Sequence, residues 1–231
     1  MVDWKNLRIP SRRTRIAAVT SLSDPARLQL YELVSRSSEA VSRDTAAHAV
    51  GLSRSTTAFH LDRLAAEGLL EVEYRRLSGK TGPGSGRPAK LYRRAAGELS
   101  VSIPERHYDF AGHLLASAIE RSIDTGEPVK DVLGVIADDA GRALGDGAES
   151  LRETLEDNGF EPTADGSDVV LGNCPFAALA REHTGLVCDV NFHLVRGMEQ
   201  AAPDSHTVIS EPGAGRCCVR ITAPDKAASG D

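Results

Sequence analysis

Gly51-Leu52-Ser53-Arg54-Ser55-Thr56-Thr57-Ala58-Phe59-His60-Leu61-Asp62-Arg63-Leu64-Ala65-Ala66-Glu67-Gly68 begins and ends on glycine and holds one helix between. Gly51 stops a preceding helix, because glycine enters the left-handed region at little steric cost. Ser53 or Arg54 opens the next helix, and Gly68 closes it. Ala58, Leu61, Leu64 and Ala65 form its apolar stripe, with Phe59 at the edge. Upstream, Ser42 is a cap for a short helix whose Ala46, Ala47 and Val50 face a core. Further upstream, Asp24-Pro25 is a helix start carrying Leu28, Leu33 and Val34. Residues 1–20, with Arg8, Arg12, Arg13 and Arg15, read as an arm leading into a helix.

Downstream, Leu69–Leu77 alternates Leu70, Val72 and Tyr74 against Glu71, Glu73 and Arg75, which predicts a strand. Gly79–Pro88 is a glycine-rich tip, and Ala89–Arg94 is the returning strand. Two short helices around a glycine turn, followed by a hairpin, make a winged helix-turn-helix over about residues 20–95. The second helix of such a unit enters the major groove with its first residues against base edges. Here those are Arg54, Ser55, Thr56 and Thr57, with His60 and Arg63 further along. The wing adds Arg75, Arg76, Lys80, Arg87 and Lys90 without one acid from 75 to 94, a charge pattern suited to phosphates. Double-stranded operator DNA is the expected partner.

Charge divides the chain in the same place. Residues 1–97 hold 17 Lys and Arg against 9 Asp and Glu, whereas 98–231 hold 10 against 24. We therefore expect a DNA-binding domain over 1–97 and a second domain over 98–231. The second domain reads as α+β. Pro104–Ile123, Val129–Leu144, Ala148–Asn158, Pro175–His183 and Val187–Ala201 are predicted helices. A hairpin turns at Asp165-Gly166, and strands follow at 206–210 and 216–222. Tyr108, Leu115, Ile119 and Ile123 fall on or beside the stripe of the first of these helices, a face suited to a homodimer. The whole is expected to be mainly α with small β elements.

All four cysteines lie in this second domain, spaced Cys174-x13-Cys188-x28-Cys217-Cys218. A disulfide framework is not expected in a cytosolic chain of 231 residues, so the clustering points to metal or redox chemistry. Ordinary burial as small hydrophobes is the plain alternative. No Cys-x2-Cys pair marks a zinc ribbon. Cys217 and Cys218 start a predicted strand, where alternation sends them to opposite faces; Cys217 is favoured as the third ligand. A fourth ligand is sought among His183, Asp189, His193 and Cys218. An iron–sulfur cluster, 4Fe-4S or 2Fe-2S, or else zinc, or neither, fits such a set.

Asp24-Pro25-Ala26-Arg27, Gly51-Leu52-Ser53-Arg54-Ser55-Thr56-Thr57-Ala58-Phe59-His60-Leu61 and Gly86-Arg87-Pro88-Ala89-Lys90-Leu91-Tyr92 resemble the ArsR-like bacterial winged-helix regulators. Asn173-Cys174-Pro175-Phe176, Leu179 to His183, Val187-Cys188 and Gly215-Arg216-Cys217-Cys218-Val219 are similar to the C-terminal domain of SufR-type regulators. That resemblance implies a homodimeric repressor with an iron–sulfur cluster that governs iron–sulfur assembly genes. Some members carry a further cysteine near the position of Ala202, so cluster type and fourth ligand stay open.

Nucleotide loops, a nucleophile elbow and HExxH are all missing, so an enzyme is not expected. No apolar run reaches membrane length, and the N-terminus lacks a secretory pattern, so a cytoplasmic, membrane-free protein is expected.

Overall fold

The computed structural model describes Trp4 and residues 10–76, 88–212 and 216–223. They form a mixed α+β protein of two compact units, one over Pro10–Val101 and one over Ser102–Asp231 that also takes in Trp4.

The first unit begins with α1 (Arg12–Ser21), α2 (Pro25–Arg36), β1 (Val41–Ser42) and α3 (Arg43–Val50). It continues with α4 (Arg54–Ala66), β2 (Leu70–Arg75) and β3 (Ala89–Arg94). Local chemistry sets these bounds. Asp24 accepts from the Arg27 amide at 3.0 Å, Ser42 from Thr45 at 3.1 Å and Ser53 from Thr56 at 3.1 Å. Each cap satisfies an amide that the first helical turn leaves without a partner. Gly51 takes φ 73° and turns α3 into α4. Leu30, Val34, Leu61, Leu64, Leu69 and Tyr92 fill the core between helices and sheet.

The sheet is antiparallel in the order β1-β3-β2. The two-residue strand β1, which shows no alternation to read, pairs Val41 with Tyr92. The glycine-rich tip expected at 79–88 lies almost entirely outside the described residues, as do Lys80 and Arg87.

The second unit contains α5 (Tyr108–Thr125), α6 (Val129–Gly145), α7 (Leu151–Asp157), β4 (Pro162–Asp165) and β5 (Asp168–Leu171). It ends with α8 (Ala177–Glu182), α9 (Thr184–Ala201), β6 (Thr207–Ser210) and β7 (Val219–Thr222). A second antiparallel sheet has the order β4-β5-β7-β6. Helices α6 and α9 lie backbone to backbone. A Cβ on Gly141 would overlap the Leu194 carbonyl, and one on Gly197 would overlap that of Asp138. Only hydrogen at those positions permits the approach.

Helix α5 starts four residues later than its apolar pattern predicts. Glu105 and His107 are buried instead of beginning a helix, and the His107 amide donates to the Pro175 carbonyl at 3.2 Å. Trp4 meets Phe110 edge to face at 5.9 Å between ring centroids. No helix among the described residues is long and apolar enough to cross a membrane.

Candidate functional site

Three segments of the second unit bring the cysteines together. Cys174 follows β5 and precedes α8, Cys188 lies in the second turn of α9, and Cys217-Cys218 run directly into β7. All four line one cavity of about 590 Å³. No disulfide joins them. Cys217 and Cys218 are both buried. The expected strand alternation therefore does not separate them: β7 begins only at Val219, past both cysteines. Before it, the Cys217 amide reaches back to the Leu171 carbonyl at 3.2 Å, while Glu211 donates to the Cys218 carbonyl at 2.7 Å. This irregular pairing lets both thiols face the cavity.

Around the cavity the four thiols influence one another in the row Cys174–Cys217–Cys218–Cys188. Donation from Cys217 holds the Cys174 thiol below its ordinary range, against burial, and the Phe176 amide assists. Donation from Cys217 likewise lowers Cys218 to about 6, helped by Cys188 and Asn191. The two donors move the other way. Cys217 is raised by holding its proton between Cys174 and Cys218, and burial followed by the bond to Cys218 pushes Cys188 up to about 12. Neighbouring thiols are thus shifted in opposite directions, and the thiolate is the form that binds metal or reacts.

Asn191 is the functional residue that the sequence reading missed. It is fully buried, and its Nδ2 donates to Cys217 Sγ at 3.0 Å. Its Oδ1 is buried with no hydrogen-bond partner among the described residues. The signal was present, since Asn191 stands three residues after Cys188 and so shares its face of α9. Of the expected fourth ligands, the same geometry keeps Cys218 in the cavity and places the other three outside it. Asp189 and His193 turn to the opposite side of α9, where they line a cleft against α6, and His193 lies against Gly134. His183 is exposed and borders an apolar groove of α5, α8 and α9 instead of the cysteine cavity.

No three His, Cys, Asp or Glu side chains among the described residues converge as they would on a single ion. The donor set nevertheless suits a larger thiolate-bound group. Four cysteines line one space, and Arg106, Arg181 and Arg216 line it too, offsetting the negative charge of such a group. Arg106 is fixed by Asn173, whose Nδ2 donates to the carbonyls of Glu105 and Gly159 at 3.0 and 2.6 Å.

In the first unit, Arg54, Ser55 and Thr56 are exposed on the first turn of α4. Thr57 is not: it is fully buried in the stripe Thr57–Leu61–Leu64, so it has no surface to offer a partner. His60 is half-buried with Nδ1 buried. Phe59, expected at the edge of the buried stripe, is 66% exposed. The basic residues carry acids as surface partners. Arg54 meets Asp44 at 2.5 Å, Arg63 meets Glu67 at 2.7 Å and Arg75 meets Glu73 at 3.3 Å. Lys90 and the Tyr92 hydroxyl both donate to Asp62 Oδ1, at 2.5 and 2.6 Å. Arg76 is exposed. Exposed pairs of this kind are worth at most about 1 kcal/mol, so a polyanion can displace the acids.

Comparison with protein-family models, with curated proteins and with solved structures finds no match.

Proposed function

We propose that this protein is a DNA-binding transcriptional regulator, a homodimeric repressor whose operator affinity is governed by an iron–sulfur cluster held on Cys174, Cys188, Cys217 and Cys218. The placement of these four thiols along the lining of one cavity that also holds three arginines carries the reading. The first unit supports the DNA-binding half. Its α2, α3 and α4 with the sheet β1-β3-β2 have the make-up of a winged helix-turn-helix, with α4 as the recognition helix and Arg54, Ser55, Thr56 and Arg63 exposed on it. Support for the dimer comes from α5. Leu115, Ile119 and Ile123 recur every fourth residue and are 37%, 52% and 76% exposed.

Bound there, a cluster would supply an oxidation- and iron-sensitive tie among three chain segments. The protein's own groups do the rest. Cys174 and Cys218 are the more acidic thiols, Asn191 fixes the position of Cys217, and the arginines balance charge. Cys188 and Asn191 lie on α9, which is locked against α6, so a change at the sulfurs is passed to the helical layer as a rigid displacement.

A second reading follows from the row of sulfurs: reversible thiol oxidation without a metal. Spectra with iron and sulfide analysis of protein purified without oxygen separate the two. Absorption near 400 nm with comparable iron and sulfide, and operator affinity that differs between loaded and stripped protein at equal salt, is expected for the cluster. Protein that stays colourless after reconstitution overturns it. A disulfide found by mass spectrometry in that colourless protein would establish the second reading.

A further inference from the structure

Phe59 stands where folding has no use for it. It is the sixth residue of α4, one turn in from the N-terminus. The buried stripe of that helix is Thr57, Leu61 and Leu64. Residues two apart lie about 200° apart around a helix, so Phe59 projects away from the core that Thr57 and Leu61 enter. It is 66% exposed, and its only ring contact among the described residues is with its neighbour His60, at 5.4 Å between centroids.

Its surroundings are polar. Ser55 and Thr56 precede it by one turn and Asp62 and Arg63 follow by one turn, all four exposed. Hydroxyls and a guanidinium address the donors and acceptors of base edges and phosphates. The negative charge of Asp62, which would repel a phosphate, is engaged by Lys90 and Tyr92. One apolar side chain in such a frame is too small a patch for a protein interface. It matches the one apolar feature of the major groove, the 5-methyl group of thymine.

We propose that Phe59 is a specificity-determining residue that selects thymine by contact with its 5-methyl group. The inference rests on the DNA-binding reading of α4 and adds to it the base that is read and the group that reads it. Burial of one methyl is worth about a fourfold change in affinity.

The test uses the full-length protein and a pool of random 20-base-pair duplexes. Sequences enriched by the wild type are resynthesised with each T·A pair replaced in turn by U·A, which removes only the methyl. Binding is titrated by fluorescence anisotropy at one salt concentration. At one or two positions the replacement is expected to weaken wild-type binding about fourfold and to leave Phe59→Ala unaffected, while Phe59→Leu keeps most of the discrimination. Phe59→Ala should melt with the wild type, since the ring is exposed. Enrichment followed by equal binding of thymine and uracil at every position overturns the proposal while the DNA-binding reading stands. Equal sensitivity in wild type and Phe59→Ala does the same. A pool that yields no enriched duplex overturns both.

Discussion

Helices α4 and α9 each carry their chemistry on one face, but they turn it in opposite directions. On α4 the row Arg54–Ser55–Phe59–Arg63 looks outward, and the helix is anchored by a stripe only three residues wide. On α9 Cys188 and Asn191 look inward to other sulfurs, and the far side is pressed onto α6 through Gly197. An outward face tolerates change because nothing is fitted against it. An inward one is bound to its neighbours, so substitutions there alter fold and chemistry together.

The sharpest way to break this contrast is at the helix contact. Gly197→Val should lower stability by about 3 kcal/mol or more, because the side chain would have to displace the Asp138 carbonyl of α6. Gly51→Ala, where nothing lies within 4 Å of an added Cβ, should cost only about 1 kcal/mol from its positive φ. Urea unfolding measures both, and equal losses would show that α6 and α9 separate freely.

A smaller effect is expected at Asn191. Truncation to Ala should cost about 2 kcal/mol, mostly from the cavity left behind. Asn191→Leu fills the space and removes a donor along with an unpartnered carbonyl, so it should stay within about 1 kcal/mol of wild type. Both variants should retain less iron after reconstitution than wild type. Full iron retention in Asn191→Leu would remove the amide from the site.

The smallest effect belongs to the outward face. Burial pushes the Asp62 carboxyl up, but hydrogen bonds from Lys90 and Tyr92 outweigh it and leave the group below its ordinary value. A depressed carboxyl stabilises the fold above the unfolded value, near pH 4, and that contribution is lost as pH falls through the folded value. Asp62 is half exposed, so the gain is screened. Asp62→Asn should be about 0.5–1 kcal/mol less stable than wild type at pH 7, with the difference vanishing once the pH has fallen through the folded value. A gap that persists in acid would assign it to packing instead of charge.

The first unit was legible where its signals are local. Asp24-Pro25, Ser42, Ser53 and Gly51 act within a few residues of themselves, and the helices begin and end where they stand. Strand β1 carries no such signal, because two residues are held only by their partner β3. Thr57 and Phe59 were misplaced together: a threonine in the buried stripe and a phenylalanine outside it invert the usual link between polarity and exposure. In the second unit the grouping of Cys174, Cys188 and Cys217 could be suspected from spacing. The inclusion of Cys218 depended on where β7 starts, which long-range pairing decides. Other long-range bonds, from the His107 amide to the Pro175 carbonyl and from Asn173 to the Glu105 carbonyl, hold Glu105 and His107 down and delay α5.

Trp4 has a practical consequence. It is the only tryptophan in the chain, and it sits against Phe110 in the unit that also holds every cysteine. Three of the four tyrosines, Tyr31, Tyr74 and Tyr92, belong to the other unit. Light absorbed by indole alone therefore reports on the thiol-bearing half. Phenol emission reports mainly on the other half, so the melting of each can be followed in one cuvette without a label.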